Sequence, residues 1–342
     1  MIAAGTATVR VGLLGAGRIG RLHGELLARR VPDAEVAAVF DTDGPLAEEL
    51  AQQLGAAAAA SVEELLAADL DAVAICSSSD THVELILAAT EAGKAIFCEK
   101  PVSLELGEVD RALAAVRRAG VPFQIGFNRR FDPGHESVRR AVVEGQVGTP
   151  QLVRISSRDP QPPSLPYVER SGGLFLDMTI HDFDMARFVT GSEVEEVYAS
   201  GTVRIVPEYA TAGDVDTAVV TLVHADGCLT VIDNSRSAAY GYDQRVEVFG
   251  SEGMAVSENP PIHHGVLVTA DGSLRARLPG SFTDRYATSY EREWRAFIDA
   301  LRDGVAPPLS PEDARAPLVI GLAARRSVRE RRPVRIDEVS GS

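Results

Sequence analysis

The chain has 342 residues, 45% of them hydrophobic and 24% charged, which is the composition of an ordinary globular protein long enough for two domains. Its 49 acidic residues outnumber 34 basic ones, and the net charge of −15 argues against nucleic acid or an anionic membrane as a partner. Three cysteines without C-x-x-C spacing predict buried thiols and no metal site, and no signal-like segment is present, so we expect a cytoplasmic protein.

The first part of the chain alternates between strand-like and helix-like segments. This pattern is typical of a parallel sheet that helices bury on both faces, and it predicts an α/β Rossmann domain over residues 1–128. The run Ala56–Ala60 is a short strand or a connection. The predicted strands are Val9–Leu14, Val36–Phe40, Ala72–Cys76, Ala95–Cys98 and Phe123–Gly126. The predicted helices are Ile19–Arg30, Pro45–Leu54, Val62–Ala67, His82–Ala92 and Ser103–Arg118.

A glycine motif follows the first predicted strand. Gly15-Ala-Gly17-Arg18-Ile19-Gly20 has the G-x-G-x-x-G spacing of a dinucleotide site. In such a site the first glycine makes a tight turn, the second lets the backbone approach a pyrophosphate, and the third lets the helix pack closely on the strand. The start of the following helix, with Arg18 and Ile19, offers amide groups and a positive dipole end to the phosphates.

An acidic residue ends the second predicted strand. Asp41 lies 21 residues after Gly20, where a carboxylate binds the ribose hydroxyls of NAD and repels the 2′-phosphate of NADP. The other interpretation is that Asp41 only begins the turn Asp41–Gly44. The strand before the glycines and the acidic residue after them favour NAD as the cofactor.

After Arg130 the pattern changes to successive strands with turn signals, which indicates an antiparallel sheet. We predict an α+β substrate-binding domain over residues 129–342 with an open, mostly antiparallel sheet, and leave open whether the C-terminal helices pack back on the first domain. A proline-rich loop, Asp159–Pro166, interrupts it. The predicted strands are Gln151–Ser157, Val197–Val206, Asp216–His224, Leu229–Ser235 and Arg245–Phe249. The predicted helices are His135–Glu144, a segment after Gly172-Gly173, Tyr286–Leu301 and Pro311–Arg331.

Two clusters are candidates for chemistry. Lys100 lies at the carboxyl end of a predicted strand, and Pro101 keeps it out of a helix, so its ammonium can donate to a substrate hydroxyl. Asp177 and His181 are four residues apart and share a face if the segment is helical, which suits a general base oriented by a carboxylate. The plain alternatives are a solvated lysine and a capping aspartate beside an incidental histidine.

These residues give the chain a resemblance to the Gfo/Idh/MocA oxidoreductase family over nearly its whole length. Within the family it is most similar to the subgroup that oxidises inositol. The motifs that carry the resemblance are the Gly15–Gly20 fingerprint, Glu99-Lys100-Pro101, Gly126–Asp132, Arg158–Pro160, Gly172-Gly173, Asp177–Arg187 and Asn234–Arg245. Asn128 departs from the pattern, in which a bulkier residue is expected.

The resemblance implies roles for further residues. Lys100, Asp177 and His181 would form the catalytic group. Ser77, Ser78, His82 and Glu99 would lie near the nicotinamide side of the cofactor, and Arg129, Asp159 and Tyr240 would hold the polyol. No metal is implied, and the open sheet face implies a homo-oligomer, a dimer or a tetramer.

The reaction that the resemblance implies is NAD-dependent oxidation of a cyclic polyol, with conversion of myo-inositol to 2-keto-myo-inositol (scyllo-inosose) favoured. The alternatives are oxidation of another sugar or inositol isomer, an NAD-dependent glycosidase on the same fold, and a nucleotide-sensing regulator. An intact Lys100, Asp177 and His181 argue against the regulator, since a sensor does not need them.

Overall fold

The computed structural model describes residues 8–341, which divide into two units. The first unit contains residues 8–128 and 290–316, and the second contains residues 129–289 and 317–341. Within residues 8–341, no helix has the combined length and apolar character that crossing a bilayer requires.

The first unit is built on a sheet of six parallel strands. These strands are β1 (Val9–Leu14), β2 (Ala34–Phe40), β3 (Ala57–Ala58), β4 (Ala72–Ile75), β5 (Ala95–Glu99) and β6 (Phe123–Gly126). Their order in the sheet is β3-β2-β1-β4-β5-β6, and every neighbouring pair is parallel. The connecting helices are α1 (Arg18–Arg29), α2 (Gly44–Leu54), α3 (Val62–Ala67), α4 (His82–Glu91) and α5 (Leu106–Ala119).

The buried strands explain why their apolar runs were readable in the sequence. Leu13, Ala74 and Phe97 are fully buried in one core, because both faces of a parallel sheet are covered. The carboxyl ends of β1, β2, β4 and β5 lie at one edge of the sheet, so the segments that follow them, including Asp41 and Lys100, emerge there. The predicted Rossmann fold is confirmed, and this edge is where such folds bind ligands.

The start of α5 differs from the prediction. The sequence pattern places it at Ser103, whereas the helix begins at Leu106. The Ser103 hydroxyl accepts a hydrogen bond of 3.2 Å from the Glu105 amide, which holds these residues in a local turn before the helix starts.

The second unit contains a seven-stranded sheet with the order β12-β11-β7-β10-β9-β8-β15. Its strands are β7 (Pro150–Arg158), β8 (Val194–Thr202), β9 (Thr217–His224), β10 (Leu229–Ser235), β11 (Asp243–Gly250), β12 (Met254–Ser257) and β15 (Val334–Arg335). A separate hairpin is formed by β13 (Val266–Thr269) and β14 (Gly272–Arg275). The helices are α6 (Pro133–Val143), α7 (Leu165–Ser171), α8 (Ile180–Thr190), α9 (Phe282–Asp303), α10 (Pro311–Glu330) and α11 (Asp337–Ser340), with α9 and α10 contributing residues to both units. Short 3₁₀ segments occupy Asn128–Phe131 and Pro207–Ala210.

The pairing in this sheet is mostly antiparallel, as predicted, but β7 and β10 are parallel neighbours. Because parallel strands end at the same edge, Asp159 after β7 and Arg236 after β10 emerge side by side. The Asp159 amide donates to the Ser235 carbonyl at 2.9 Å and continues this pairing beyond the strands.

The starts of α7 and α9 also depart from the prediction. The proline-rich segment expected to be a loop to Pro166 already contains the start of α7, which tolerates a proline in its first turn. Helix α9 begins at Phe282 rather than Tyr286, and the backbone kinks at Tyr286, where φ is −113° and ψ is 16°.

Candidate active site

The turn after β1 has two glycines that packing requires and one that it does not. Gly15 has φ of 107°, and a Cβ there would lie 2.7 Å from the backbone of Cys76. A Cβ on Gly20 would lie 1.8 Å from the Gly15 carbonyl oxygen. A Cβ on Gly17, by contrast, would meet no atom of residues 8–341 within 4 Å. The space at Gly17 therefore lets a ligand approach the backbone, as a bound pyrophosphate requires.

The first turn of α1 completes this cradle. The helix begins at Arg18, which is exposed, and Ile19 is partly exposed. Within the described part of the chain, no side chain caps its N-terminus at Gly17. Amide groups and the positive end of the helix dipole are thus available to an anion, so the residues present fit the phosphates of NAD.

Asp41 takes part in a turn, which is one of the two roles that the sequence suggested for it. Its Oδ2 accepts a hydrogen bond of 2.7 Å from the Ala16 amide in the glycine turn, and its Oδ1 accepts one of 2.9 Å from the Asp43 amide. A carboxylate has about four acceptor sites, so these bonds leave capacity for ribose hydroxyls. The turn role is observed, and the ribose contact stays a prediction.

The loops after β4 and β5 are joined by a buried histidine. The ring nitrogens of His82 lie 3.1 Å from the Ser77 carbonyl oxygen and 2.9 Å from the Pro101 carbonyl oxygen. Burial lowers the pKa of His82, and the two carbonyls act against this. Ser77 Oγ lies 2.7 Å from Thr81 Oγ1, and Ser78 is exposed. Contacts of Ser77, Ser78 and His82 with the cofactor stay predictions.

Glu99 and Lys100 lie at the end of β5. Glu99 Oε1 is 2.8 Å from Nε2 of His23, and Glu99 Oε2 accepts a hydrogen bond of 3.2 Å from the Lys100 amide. The peptide bond from Lys100 to Pro101 is cis. Lys100 is partly exposed and lies at the edge of the sheet where such folds bind ligands. Its catalytic role and the cofactor contact of Glu99 stay predictions.

In the second unit, Asp177 lies on a wide turn rather than on the α-helix expected from its spacing to His181. Residues Leu174–Met178 form one π-helical turn, closed by a 2.9 Å bond from the Thr179 amide to the Leu174 carbonyl, and α8 starts only at Ile180. The Thr179 hydroxyl donates to Asn234 Oδ1 at 2.8 Å, which draws this residue toward β10 and widens the turn. Such turns are frequent at functional sites.

Asp177 shares an arginine with Asp159. Arg236 donates to Asp177 Oδ2 at 3.1 Å and to Asp159 Oδ2 at 3.3 Å, and its own side chain is 3% exposed. The Tyr167 hydroxyl donates to Asp177 Oδ1 at 2.9 Å. Burial raises the pKa of Asp159, and Arg236 opposes the rise while Asp177 adds to it. Arg236 therefore brings together two carboxylates that the sequence assigned to the site.

His181 lies in the first turn of α8, beside an anchored neighbour. The buried Asp182 accepts hydrogen bonds from Arg129 Nη1 at 2.8 Å, Ser157 Oγ at 2.5 Å and Asn234 Nδ2 at 2.8 Å. These bonds fix the start of the helix that carries the partly exposed His181. Arg129 thus holds Asp182 in the structure, and its predicted contact with the polyol is untested.

Tyr240 is half exposed and fixed at its hydroxyl. The hydroxyl donates to Asp243 Oδ2 at 2.6 Å and accepts from Arg158 Nη1 at 2.8 Å. Arg158 also donates to Asp233 Oδ1 at 2.8 Å, so Tyr240 belongs to a charged cluster at the end of β7. The predicted role of Tyr240 in substrate binding stays a prediction.

Sequence reasoning missed three residues of these clusters. Arg236 directly follows a predicted strand, and Lys100 comes two residues after one. The same rule selects Arg236 once its strand is known to have a parallel neighbour. Tyr167 lies one residue beyond the predicted loop, in a segment for which no element was predicted. His23 offers no local signal, because its partner Glu99 is 76 residues away.

Comparison with known proteins agrees with the fold of both units. Residues 9–127 match the family model described as an oxidoreductase family with an NAD-binding Rossmann fold, and residues 135–256 match the GFO/IDH/MocA C-terminal domain. The chain is 46% identical over 335 residues to the myo-inositol 2-dehydrogenase of Thermotoga maritima, covering 97% of this chain and 100% of that protein.

Two solved structures from Lactobacillus casei are similar over nearly the whole chain. One is myo-inositol dehydrogenase in complex with NAD(H) and myo-inositol, at a TM-score of 0.88 and 27% identity, covering 98% of both chains. The other is scyllo-inositol dehydrogenase with bound NAD(H) and scyllo-inositol, at a TM-score of 0.90 and 28% identity, covering 96% of this chain and 99% of that one.

Proposed function

We propose a reaction for this chain, which belongs to the Gfo/Idh/MocA oxidoreductase family: the NAD-dependent oxidation of myo-inositol to 2-keto-myo-inositol. The observation that carries the proposal is the full-length similarity to a myo-inositol 2-dehydrogenase at 46% identity. The cradle at Gly17 and the carboxylate of Asp41 support NAD as the cofactor.

The residues divide the work on the reacting hydroxyl. When bound, NAD supplies the acceptor for the hydride that leaves the ring carbon. His181 takes the hydroxyl proton, so that the C–O bond becomes a carbonyl as the C–H bond breaks. Lys100 donates a hydrogen bond to the same oxygen and stabilises its developing negative charge.

Asp177 supports the histidine in this scheme. Its carboxylate stabilises the imidazolium that His181 becomes, and Tyr167 and Arg236 hold that carboxylate in place. Asp159, Arg129 and Tyr240 are assigned to the remaining hydroxyls of the polyol. Asp159 suits this best, because it is held by Arg236 close to Asp177.

A second candidate substrate is scyllo-inositol, which differs from myo-inositol in the configuration of one hydroxyl group. The similarity to scyllo-inositol dehydrogenase with its bound substrate favours keeping it. Discrimination between such isomers depends on the placement of a few polar groups.

NADH absorbance with myo-, scyllo- and chiro-inositol and glucose, each with NAD and with NADP, tests the proposal. We expect the highest kcat/KM with myo-inositol and NAD, and a loss of roughly 10²–10⁴-fold in Lys100→Met and in His181→Ala. NADH formation only with glucose, or release of a sugar from a glycoside without net NADH, would contradict it.

We further propose that the chain is cytoplasmic and assembles as a dimer or tetramer through the open face of the second sheet. Cys76, Cys98 and Cys228 are free and buried, which suits a reducing compartment. The sheet exposes apolar side chains such as Val219 and Phe249, half exposed at 50% and 46%. Sedimentation velocity that shows only a monomer would contradict the assembly.

A further inference from the structure

A buried chain of hydrogen bonds ends at the strand that carries Lys100. The indole Nε1 of Trp294 lies 2.8 Å from Nδ1 of His23, and Nε2 of His23 lies 2.8 Å from Glu99 Oε1. The second oxygen of Glu99 accepts from the Lys100 amide at 3.2 Å. His23 and Trp294 are fully buried, and 12% of the Glu99 side chain is exposed. All four residues lie in the first unit.

The chemistry of the partners fixes every proton in this chain. An indole N–H can only donate, so Nδ1 of His23 must be the acceptor. The imidazole proton therefore lies on Nε2, which donates to the Glu99 carboxylate. The arrangement leaves one tautomer of His23 and one orientation of its ring.

This series of hydrogen bonds cannot carry a proton away from the active site. A proton that reached His23 from Glu99 would have to displace the Trp294 N–H bond, and the indole has no lone pair to receive it. Both rings are also held by Phe97. The Trp294 ring stacks on Phe97 with centroids 4.2 Å apart, and the His23 ring meets Phe97 edge-on at 5.3 Å. The series of hydrogen bonds can therefore orient Glu99 and Lys100, but it cannot transfer a proton.

We propose that His23 is a positioning residue for Lys100. Held by Trp294, it clamps the Glu99 carboxylate, which in turn fixes the backbone at Lys100 and so the direction from which its ammonium reaches the reacting oxygen. The proposal rests on the role of Lys100 proposed above. Displacing a reactive group by about 1 Å can cost roughly 10²-fold in rate, so the clamp acts on kcat more than on binding.

Two substitutions separate the halves of the clamp. In His23→Asn the side-chain amide reaches the position of Nδ1 and can accept from Trp294, but no donor reaches Glu99. In His23→Gln the amide nitrogen reaches the position of Nε2 and can donate to Glu99. Trp294→Phe keeps an aromatic ring on Phe97 and removes the indole donor, together with part of the buried ring system.

We expect kcat with myo-inositol to fall about tenfold to a hundredfold in His23→Asn, with the KM and the Kd for NAD nearly unchanged. His23→Gln should recover most of this loss, and Trp294→Phe should lie between. Wild-type kcat in His23→Asn, or equal losses in the Asn and Gln variants that follow their Tm values, would overturn the proposal, since a purely structural histidine predicts that result.

A second measurement does not depend on turnover. The chain has two lysines, Lys94 and Lys100, so ¹³C reductive methylation gives two lysine signals that Lys94→Arg assigns. The Lys94 ammonium donates to the Leu70 carbonyl at 2.9 Å and serves as an internal control. We expect the Lys100 signal to move in His23→Asn and to return in His23→Gln while the Lys94 signal stays. An unmoved Lys100 signal overturns the clamp, whereas failure of the wild-type enzyme to oxidise inositol overturns only the proposed function.

Discussion

Glu99 in the first unit and Asp177 in the second are both 12% exposed, yet they are held by opposite chemistry. Glu99 accepts from an imidazole and a backbone amide, which are neutral donors of fixed direction. Asp177 accepts from the Arg236 guanidinium, which also serves Asp159. The donors to Glu99 set the orientation of its carboxylate, whereas Arg236 places one positive charge between two negative ones. Loss of a neutral donor should therefore cost less than loss of the arginine.

Removing the cation should have the largest effect. In Arg236→Met the carboxylates of Asp159 and Asp177 lose their shared partner, and breaking a buried ion pair costs about 3–5 kcal/mol. Because burial already raises the pKa of Asp159 and Arg236 counteracts it, that pKa should rise further. We expect kcat/KM to fall roughly 10²- to 10³-fold at neutral pH and its acidic limb to move to higher pH.

The matched control is Arg154→Met, since Arg154 is exposed and lies 3.5 Å from Glu247 at the surface. Surface pairs contribute about 0–1 kcal/mol, so this variant should behave as the wild type. Arg236→Lys should keep part of the activity, because it restores the charge without the two-pronged geometry. An Arg236→Met enzyme with a wild-type pH profile would remove the charge-balance interpretation.

The next largest effect is expected at Asp41, a carboxylate of the first unit that, like Glu99, accepts from a neutral backbone amide. Asp41→Asn removes the carboxylate that accepts a hydrogen bond from the Ala16 amide. It also removes the negative charge proposed to bind the ribose and to repel NADP. A hydrogen bond to a charged group contributes about 1.5–3 kcal/mol, so the Kd for NAD should rise roughly tenfold to a hundredfold. The preference for NAD over NADP should shrink as well.

Asp43→Asn in the same loop is the control for this variant. Asp43 caps α2 through the Leu46 amide at 3.3 Å, and asparagine is an equally good cap. Fluorescence titration with both dinucleotides measures the difference. Unchanged discrimination in Asp41→Asn would mean that Asp41 serves the turn alone.

The comparison also shows what sequence can predict here. The parallel sheet and its glycine turn were predictable, because strands such as Val9–Leu14 are continuous apolar runs and Gly15 and Gly20 obey a local rule. Lys100 and Asp41 followed from their positions at strand ends. Where a helix begins was less predictable, as Ser103 shows, because the deciding hydrogen bond is a single side-chain contact.

What could not be predicted depends on contacts between distant segments. The pairing of β7 with β10 places Arg236 beside Asp159, and no local pattern distinguishes it from an antiparallel pair. The wide turn at Asp177 depends on Thr179 contacting Asn234, 55 residues away. The contact of His23 with Glu99 is equally non-local. The sequence therefore predicted Glu99 and Asp177 as site residues but not His23 and Arg236, which hold them.

The last effect concerns stability rather than activity, at a charged cluster of the second unit. His135 is buried beside Asp132, with 3.8 Å between its Nδ1 and the nearer carboxylate oxygen. Burial lowers the pKa of His135 from 6.5 to about 3, with Asp132 opposing and Arg285 and Arg129 adding to the shift. His135 therefore binds a proton near pH 6.5 in the unfolded chain, but only near pH 3 in the folded chain.

The free energy of unfolding should consequently fall as the pH drops through this window, by about 1.4 kcal/mol per pH unit for one such proton. Burial similarly lowers the pKa values of His82 and His224, which adds to the slope in the same direction. In His135→Asn only the share of His135 disappears, so urea unfolding at pH 4–6 should show a shallower slope, while substitution of the exposed His264 by Asn should leave it unchanged. Equal slopes in wild type and His135→Asn would show that the imidazole gains its proton in the folded chain as readily as in the unfolded one. The cluster would then resemble Asp159, where the neighbouring Arg236 opposes the effect of burial on the pKa.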